Sequence, residues 1–539
     1  MALRTRPPIN IGLVFDWHAQ KRTRTVVHLD RPFDIAPDAG TTYGAAPLAE
    51  LVTEVSNWLY AAGVRHGDRL AVVKDNHFDM VLIAAGAARI GALPVMMAPG
   101  QDLDAIRTMI TRAGPTVLVA GAGVLDRAAE AGVAPAGPGV RLVVIGEPRE
   151  GLPSGAVTLD DLRGAADAPV RVRGDHEPMI VTHTSGTTGV PKLVMHSPYT
   201  ALGALPYRLE SSPIPFLTSG RGDVVASAIS FCHMRGLSWT RSQFALAPRA
   251  MVVISDPGLE STARVLAKHR PTSLEALPNI FQRWEELADE QPELFFQVRR
   301  FISTFDAVHP RTVRTFLALS RARFPVWAWG LGQSEIAGIS ANLFTRATVR
   351  RARTTRDGVT NVGWPTLVRV KVVDQYTGRR LPRGEPGLLM VNTRTRCLDY
   401  LGESDRHRMK TEGDWWNTGD LGERTRFGRV RLVDREVDMI PGMSCIEAES
   451  TLLDRLERAQ EVVVLSVPDG LPVPVLCMRD DRLEPEEWKR ATEGLPDFGE
   501  PRLVPWEDVP RTATWKVRRA LLREQLLDEK CGRGTGRWT

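Results

Sequence analysis

The stretch VTHTSGTTGVPKLVMHS, from Val181 to Ser197, packs six hydroxyl residues, two glycines and a Pro-Lys pair into seventeen positions. Gly186 and Gly189 let a backbone fold closely around an anion and turn its N–H groups toward it. Thr184, Ser185, Thr187 and Thr188 add hydroxyl donors, and Lys192 adds a mobile positive charge. That assembly suits a polyphosphate. It is not the Walker loop, because the GKS or GKT ending is missing and Pro191 precedes the lysine. On composition alone a Ser/Thr/Gly cluster reads as a surface turn, so the surrounding chain has to decide.

Outward from the loop, helical and strand periods alternate. In ELVTEVSNWLYAAG, Leu51, Val55 and Leu59 recur at four-residue spacing and Gly63 offers a stop. DRLAVVK, LPVMM, TVLVA and RLVVI are short apolar strands, with a helix over Phe78 to Arg89 between the first two. This pattern predicts an α/β chain with a largely parallel sheet. From about residue 364 to 435 the texture changes to Gly- and Pro-punctuated strands, VRVKVVD, PGLLMV and GRVRLVD, which predict a small β-barrel-like subdomain. Beyond Arg435 a shorter α+β unit follows, with a helix in EAESTLLDRLERA, a strand in EVVVLSV, a helix from Pro485 to Thr492 and a basic helical tail from Val517. The expected domains are therefore 1–435 and 436–539.

With 539 residues, the chain needs more than one core. Its 69 basic and 64 acidic residues are spread along its length, which implies neither nucleic-acid nor membrane binding. The run RATVRRARTTR, Arg346 to Arg356, is conspicuous, and the expectation for it is a solvated loop rather than a phosphate site. Cys232, Cys397, Cys445, Cys477 and Cys531 have no ligand spacing, so neither a zinc site nor a disulfide framework is expected. MALRTRPPINIG lacks the apolar core of a signal peptide, and the apolar stretch Met80 to Met97 is interrupted by Arg89 and Pro94. A cytoplasmic protein with no membrane insertion is expected.

The order TSGTTGVPK resembles the phosphate loop of the adenylate-forming superfamily, which includes acyl-CoA synthetases, adenylation domains of peptide synthetases and luciferases. Further family-like segments follow in the family's order, from about residue 40 to 525. SFCHMRGLSW resembles the segment that places a histidine, here His233, near the acyl pocket. WGLGQSE is similar to the aromatic-Gly-x-Thr-Glu motif, with Leu331 for the aromatic and Ser334 for threonine. By that resemblance Ser334 donates to the nucleotide phosphate and Glu335 holds Mg2+. In NTGDLGE, Asp420 matches the carboxylate that accepts both ribose hydroxyls, and Arg435 matches the arginine that reaches the ribose and marks the interdomain hinge. PRTATWKVRRALLR carries the match to the catalytic lysine, Lys516.

The resemblance implies ATP and Mg2+ as cofactors and a small-molecule acid that attacks the α-phosphate as pyrophosphate leaves. It also implies a mobile C-terminal domain that withdraws Lys516 before the acceptor, CoA or an amine, reacts. Several family positions are altered. Leu193 replaces the glycine after Pro-Lys, and Trp515 replaces the glycine before Lys516. STFDAVHP puts Phe305, Asp306 and His309 near the acid pocket, where glycines are usual. Asp306 is equally an N-cap ahead of AVHPRTV, or a buried group that needs a partner on the substrate. The hinge reads DREVDMIPGMSCIEAES, with Asp434 for glycine and a loop shortened around Pro441 and Gly442. The resemblance supports an AMP-forming acyl-CoA synthetase for a small aromatic or short-chain acid. The altered hinge supports the alternative, an enzyme that passes the activated group to an amine without CoA, either amide-forming or activating nitrite for an aryl amine.

Overall fold

The hydroxyl-rich stretch connects two antiparallel strands. Ile180–His183 and Leu193–His196 pair with Ile180 opposite His196 and His183 opposite Leu193. The computed structural model describes residues 6–146, 151–184, 190–212, 214, 217–351, 360–435, 444–467, 470–512 and 515–527, without the side chains of 205, 351, 434 and 435. Ser185, Gly186, Thr187, Thr188 and Gly189 therefore lie outside the described residues.

The described chain falls into two units. The first comprises Met1–Glu275, Ser334–Ala337 and Arg394–His407. Its eight-stranded sheet runs, in spatial order, Asp399–Tyr400, Leu193–His196, Ile180–His183, Leu93–Met97, Arg69–Val73, Val117–Ala120, Arg141–Val144 and Val157–Thr158. Arg69–Val73 pairs parallel with both Leu93–Met97 and Val117–Ala120. Strands buried on both faces suit that arrangement, which is why LPVMM is an unbroken apolar run. Helices Ala45–Ala61 and Asp79–Arg89 approach so closely that a Cβ on Gly86 would meet the Val55 side chain at 2.4 Å. Only glycine allows that contact. A second run of strands in this unit, Val224–Ala228, Ala250–Val253 and Val26–Leu29, is also parallel.

The second unit comprises Ala276–Gln333, Gly338–Thr393 and Arg408–Thr539. Phe281, Phe301, Phe316 and Trp327 form an aromatic core here, with Phe281 and Trp327 ring centroids 4.6 Å apart. This core seats helix Pro278–Arg283 against strand Val326–Gln333. The strands expected to form a small barrel make an antiparallel run, Arg369–Val373, Gly387–Asn392, Trp415–Arg424, Val430–Arg435 and Asn361–Pro365. Among the described residues no strand pair closes it.

The C-terminal residues build a three-stranded sheet, Ala459–Leu465, Val473–Met478 and Arg502–Leu503. Its period-two pattern sends Val462, Val464, Leu476 and Met478 toward helices Cys445–Arg455 and Pro485–Thr492. Val463, Leu465, Val475 and Cys477 face helix Arg519–Leu527 on the other side. These residues have a core of their own. Residues 436–443, at the expected domain boundary, are outside the described residues.

Two local expectations need correction. Arg346–Arg351 is a helix rather than a loop, and Arg346 donates to the carbonyls of Leu317 (2.9 Å) and Ser320 at the end of helix Pro310–Leu319. An arginine that caps a helix C-terminus satisfies carbonyls with no intrahelical partner. Residues 352–359 of that run are outside the described residues. Asp306 is not an N-cap either: helix Pro310–Leu319 begins after His309, and Asp306 is exposed, its carboxylate accepting from the Ala307 N–H at 3.0 Å. Among the described residues no helix is long and apolar enough to cross a membrane.

Candidate functional site

In the first unit the flanks of the hydroxyl-rich stretch are tied together. Thr184 N–H donates to Lys192 O at 3.0 Å, and Lys192 N–H donates to Thr184 Oγ1 at 3.1 Å. The side chains of Lys192 and Glu335 converge on Tyr400. Tyr400, fully buried, donates its phenol to Glu335 Oε1 at 2.6 Å, and Lys192 Nζ lies 5.4 Å from the ring centroid. Burial and the neighbouring carboxylate hold the Tyr400 phenol protonated, far above its ordinary range. The Glu335 backbone is fixed as well. His196 Nε2 bonds to Ser334 O at 2.8 Å, Cys397 N–H donates to Glu335 O at 2.7 Å, and Thr395 Oγ1 donates to Ile336 O at 2.6 Å. Burial depresses His196 to about 4, so the ring is neutral. Among the described residues no Lys or Arg pairs with Glu335, although it is buried. A carboxylate shielded from water, with no Lys or Arg partner among the described residues, has the chemistry to hold a hard divalent cation through oxygen.

His233 precedes helix Met234–Leu246 and is buried beside Cys232 and His183, the three offering donor atoms within 4.8 Å of one another. The cysteine spacing gave no hint of this cluster, which forms because the end of strand Ile180–His183 meets the start of a helix fifty residues on. The cluster is internally satisfied on the His183 side. His183 Nδ1 bonds to Thr184 O at 2.7 Å, and Nε2 accepts the Ala98 N–H at 3.0 Å. Burial pushes the Cys232 thiol up to about 12, which keeps it protonated and unreactive.

In the second unit, Asp420 stands opposite Arg435 across the antiparallel strands Trp415–Arg424 and Val430–Arg435. The Arg435 side chain is outside the described residues. Gln333 aims the carboxylate: its Nε2 donates to Asp420 Oδ2 at 2.9 Å and to Thr418 O at 2.8 Å. Gly419, at φ +75°, makes the turn that lets Asp420 N–H reach Thr418 Oγ1 at 3.0 Å.

Phe305 has φ +80°, a conformation that costs a bulky residue about 1–3 kcal/mol and collects at functional sites. Trp329 Nε1 fixes this turn by donating to Asp306 O at 2.9 Å. His309 is half-buried and is depressed to about 4 by burial and by Arg311.

Lys516 sits in a tight turn closed by the Arg511–Val517 bridge and by Thr512 N–H donating to Lys516 O at 2.8 Å. Trp515 takes φ +57°, the left-handed region that glycine normally fills. Its indole stacks on Trp506, with centroids 5.5 Å apart and planes at 23°.

The pattern of the family described as AMP-binding enzyme matches residues 15–401. The chain belongs to the AMP-binding enzyme family. It is an adenylate-forming ligase of an ATP-binding family. One relative, the 3-amino-2-hydroxy-4-methoxybenzoate diazotase of Streptomyces cremeus, is 36% identical over 533 residues, covering 94% of each chain. The 4-hydroxybenzoate–CoA/benzoate–CoA ligase of Rhodopseudomonas palustris is 25% identical over 523 residues, covering 92% of this chain and 90% of its own. A benzoate CoA ligase structure from Burkholderia xenovorans superposes with a TM-score of 0.76 at 20% identity, covering 96% of this chain and 100% of that one. For this AMP-binding enzyme, His196, Gln333 and Tyr400 are supporting residues that motif reading missed. Tyr400 is sixty-five positions from its partner Glu335, and nothing in CLDYLGE announces the pairing.

Proposed function

We propose that the protein condenses nitrite with ATP, releases pyrophosphate, and delivers the nitroso group to a primary aryl amine without CoA. The relative named a diazotase carries this reading, since it matches nearly the whole chain at 36% against 25% for the benzoate-type CoA ligase. Making a diazonium from an amine requires a nitrogen electrophile at the oxidation level of nitrous acid. Nitrite is a three-atom oxyanion. Phe305, at φ +80° where the family resemblance expects glycine, fits a pocket cut down for so small an acid.

The CoA alternative requires the turn bearing Lys516 to leave its adenylating position. Here Asn279 Nδ2 donates to Trp515 O at 2.5 Å and Arg283 pairs with Glu507 at 3.3 Å, contacts that any movement of this turn away from helix Pro278–Arg283 has to break. The hinge departures at Asp434 and around Pro441 and Gly442 favour the same reading.

In the proposed reaction Thr184, Ser185, Gly186, Thr187, Thr188, Gly189 and Lys192 hold the departing pyrophosphate, and Ser334 donates to the nucleotide phosphate. Asp420 and Arg435 take the ribose. Glu335 is the residue to hold Mg2+, which when bound neutralises phosphate charge. Lys516 aligns the nitrite oxygen with the α-phosphate and offsets the charge that develops there. His233 orients the oxyanion, and Phe305, Asp306 and His309 bound its pocket. A nitrite oxygen bonds to the α-phosphorus as the bond to pyrophosphate breaks. The amine nitrogen then attacks the nitroso nitrogen, the N–O bond breaks, AMP leaves, and the amine loses a proton. The nitrosamine tautomerises and loses hydroxide to give the diazonium.

The test is to incubate the protein with ATP and Mg2+, adding nitrite and aryl amines in one series and carboxylic acids with CoA in another. AMP release that needs nitrite and amine but not CoA supports the proposal. AMP release that needs a carboxylic acid and CoA refutes it.

A further inference from the structure

Lys516 follows a tryptophan where the family resemblance expects glycine. A large side chain at φ +57° persists only where its surroundings compensate for the strained backbone. Trp515 is held on two sides. Its ring lies on Trp506, whose own ring carries the Arg511 guanidinium at 4.2 Å and that of Arg283 at 5.4 Å. Its carbonyl accepts Asn279 Nδ2–H at 2.5 Å and an Arg511 N–H at 3.4 Å. Arg511 is in turn paired with Glu461. Asn279 is buried in the first turn of helix Pro278–Arg283, seated on the aromatic core of Phe281, Phe301 and Trp327. The peptide immediately before Lys516 is therefore bonded to a buried helical turn packed on that aromatic core.

We propose that Asn279 and the Trp506–Trp515 stack are positioning residues for Lys516, holding its turn in a single conformation so that its ammonium is presented already aligned. A glycine turn must lose conformational freedom each time the lysine engages. The stacked turn has lost it in advance, and preorganisation of that kind appears in the rate of the step rather than in substrate binding. This rests on the reading of Lys516 as the lysine that aligns the acid for adenylate formation. It does not depend on which acid is used.

The test compares Asn279→Leu, Trp515→Gly, Trp515→Phe and Lys516→Ala in the full-length protein. Two readouts apply: nitrite-dependent ATP–pyrophosphate exchange, and tryptic cleavage after Lys516, which needs no activity. Asn279→Leu and Trp515→Gly should each lower exchange kcat by about tenfold, with KM for ATP within about twofold of wild type. They should also speed cleavage after Lys516 while the thermal midpoint holds. Trp515→Phe, which keeps an aromatic ring on Trp506, should recover most of both. Wild-type exchange and wild-type cleavage in Asn279→Leu and Trp515→Gly, with Lys516→Ala inactive, would overturn the positioning role and leave Lys516's own role standing. Full exchange in Lys516→Ala would instead overturn the reading of Lys516, and the positioning role with it. A lowered midpoint with kcat and KM changed together would show a general packing defect and also overturn it. If nitrite supports no exchange even in wild type, the choice of acid fails, while faster cleavage in Asn279→Leu still supports the tie.

Discussion

Tyr400 Oη lies 2.6 Å from Glu335 Oε1, so a buried phenol orients the carboxylate proposed to hold magnesium. Deleting the donor leaves that oxygen without its partner out of water. Tyr400→Phe should raise the Mg2+ concentration needed for half-maximal pyrophosphate exchange several-fold, and lower stability by about 1–3 kcal/mol. A magnesium titration of the variant reads the first effect and chemical denaturation the second. Unchanged magnesium dependence would detach Glu335 from the metal.

Gln333 bridges Thr418 O and Asp420 Oδ2 through one amide nitrogen. Gln333→Ala should leave Asp420 in place but poorly aimed. KM for ATP should rise by about three- to tenfold with kcat little changed, the loss of roughly one hydrogen bond. Steady-state kinetics in ATP checks this, and a pure kcat effect would contradict it.

His183 and His196 are both buried and neutral, each depressed to about 4. Their folded values lie below the ordinary 6.5, so the stability they contribute is complete above pH 6.5 and is lost as pH falls toward 4. The loss is on the order of 3 kcal/mol per histidine at the end of that window. Denaturation midpoints should therefore fall between pH 6.5 and 4.5, before ordinary carboxylates protonate. His196→Gln should flatten that slope. A midpoint constant over the window would contradict the burial argument.

Arg311 donates to Leu453 O at 2.8 Å, Leu456 O at 3.3 Å and Ala459 O at 2.7 Å, capping helix Cys445–Arg455. Arg311→Ala should destabilise the C-terminal residues by about 1–3 kcal/mol. Hydrogen exchange should quicken in 444–465 ahead of the rest of the chain. Uniform exchange would contradict this local role.

Most of the fold was legible because parallel strands buried on both faces leave unbroken apolar runs, as in LPVMM and TVLVA, and because proline and glycine punctuate elements, as at Pro485. The hydroxyl-rich stretch and Asp420 could be nominated because each stands in a short contiguous motif. Tyr400, His196 and Gln333 were not, because each acts on its partner across strands distant in sequence and by geometry alone. Asp306 misled for a related reason. Composition suggests a cap or a buried acid, and only the backbone shows that His309 precedes the helix and that Asp306 faces solvent. Trp515 carried a readable warning, a tryptophan in a glycine position, but its stacking partner Trp506 appears only in the folded chain.

The central claim is that a nitrite oxygen becomes bonded to the α-phosphorus of ATP. Turnover with 18O-labelled nitrite, ATP and an aryl amine in unlabelled water tests it through the mass of the AMP released. One labelled oxygen in each AMP formed is the predicted result. Unlabelled AMP, with any label left in nitrite or passed to water, would contradict it.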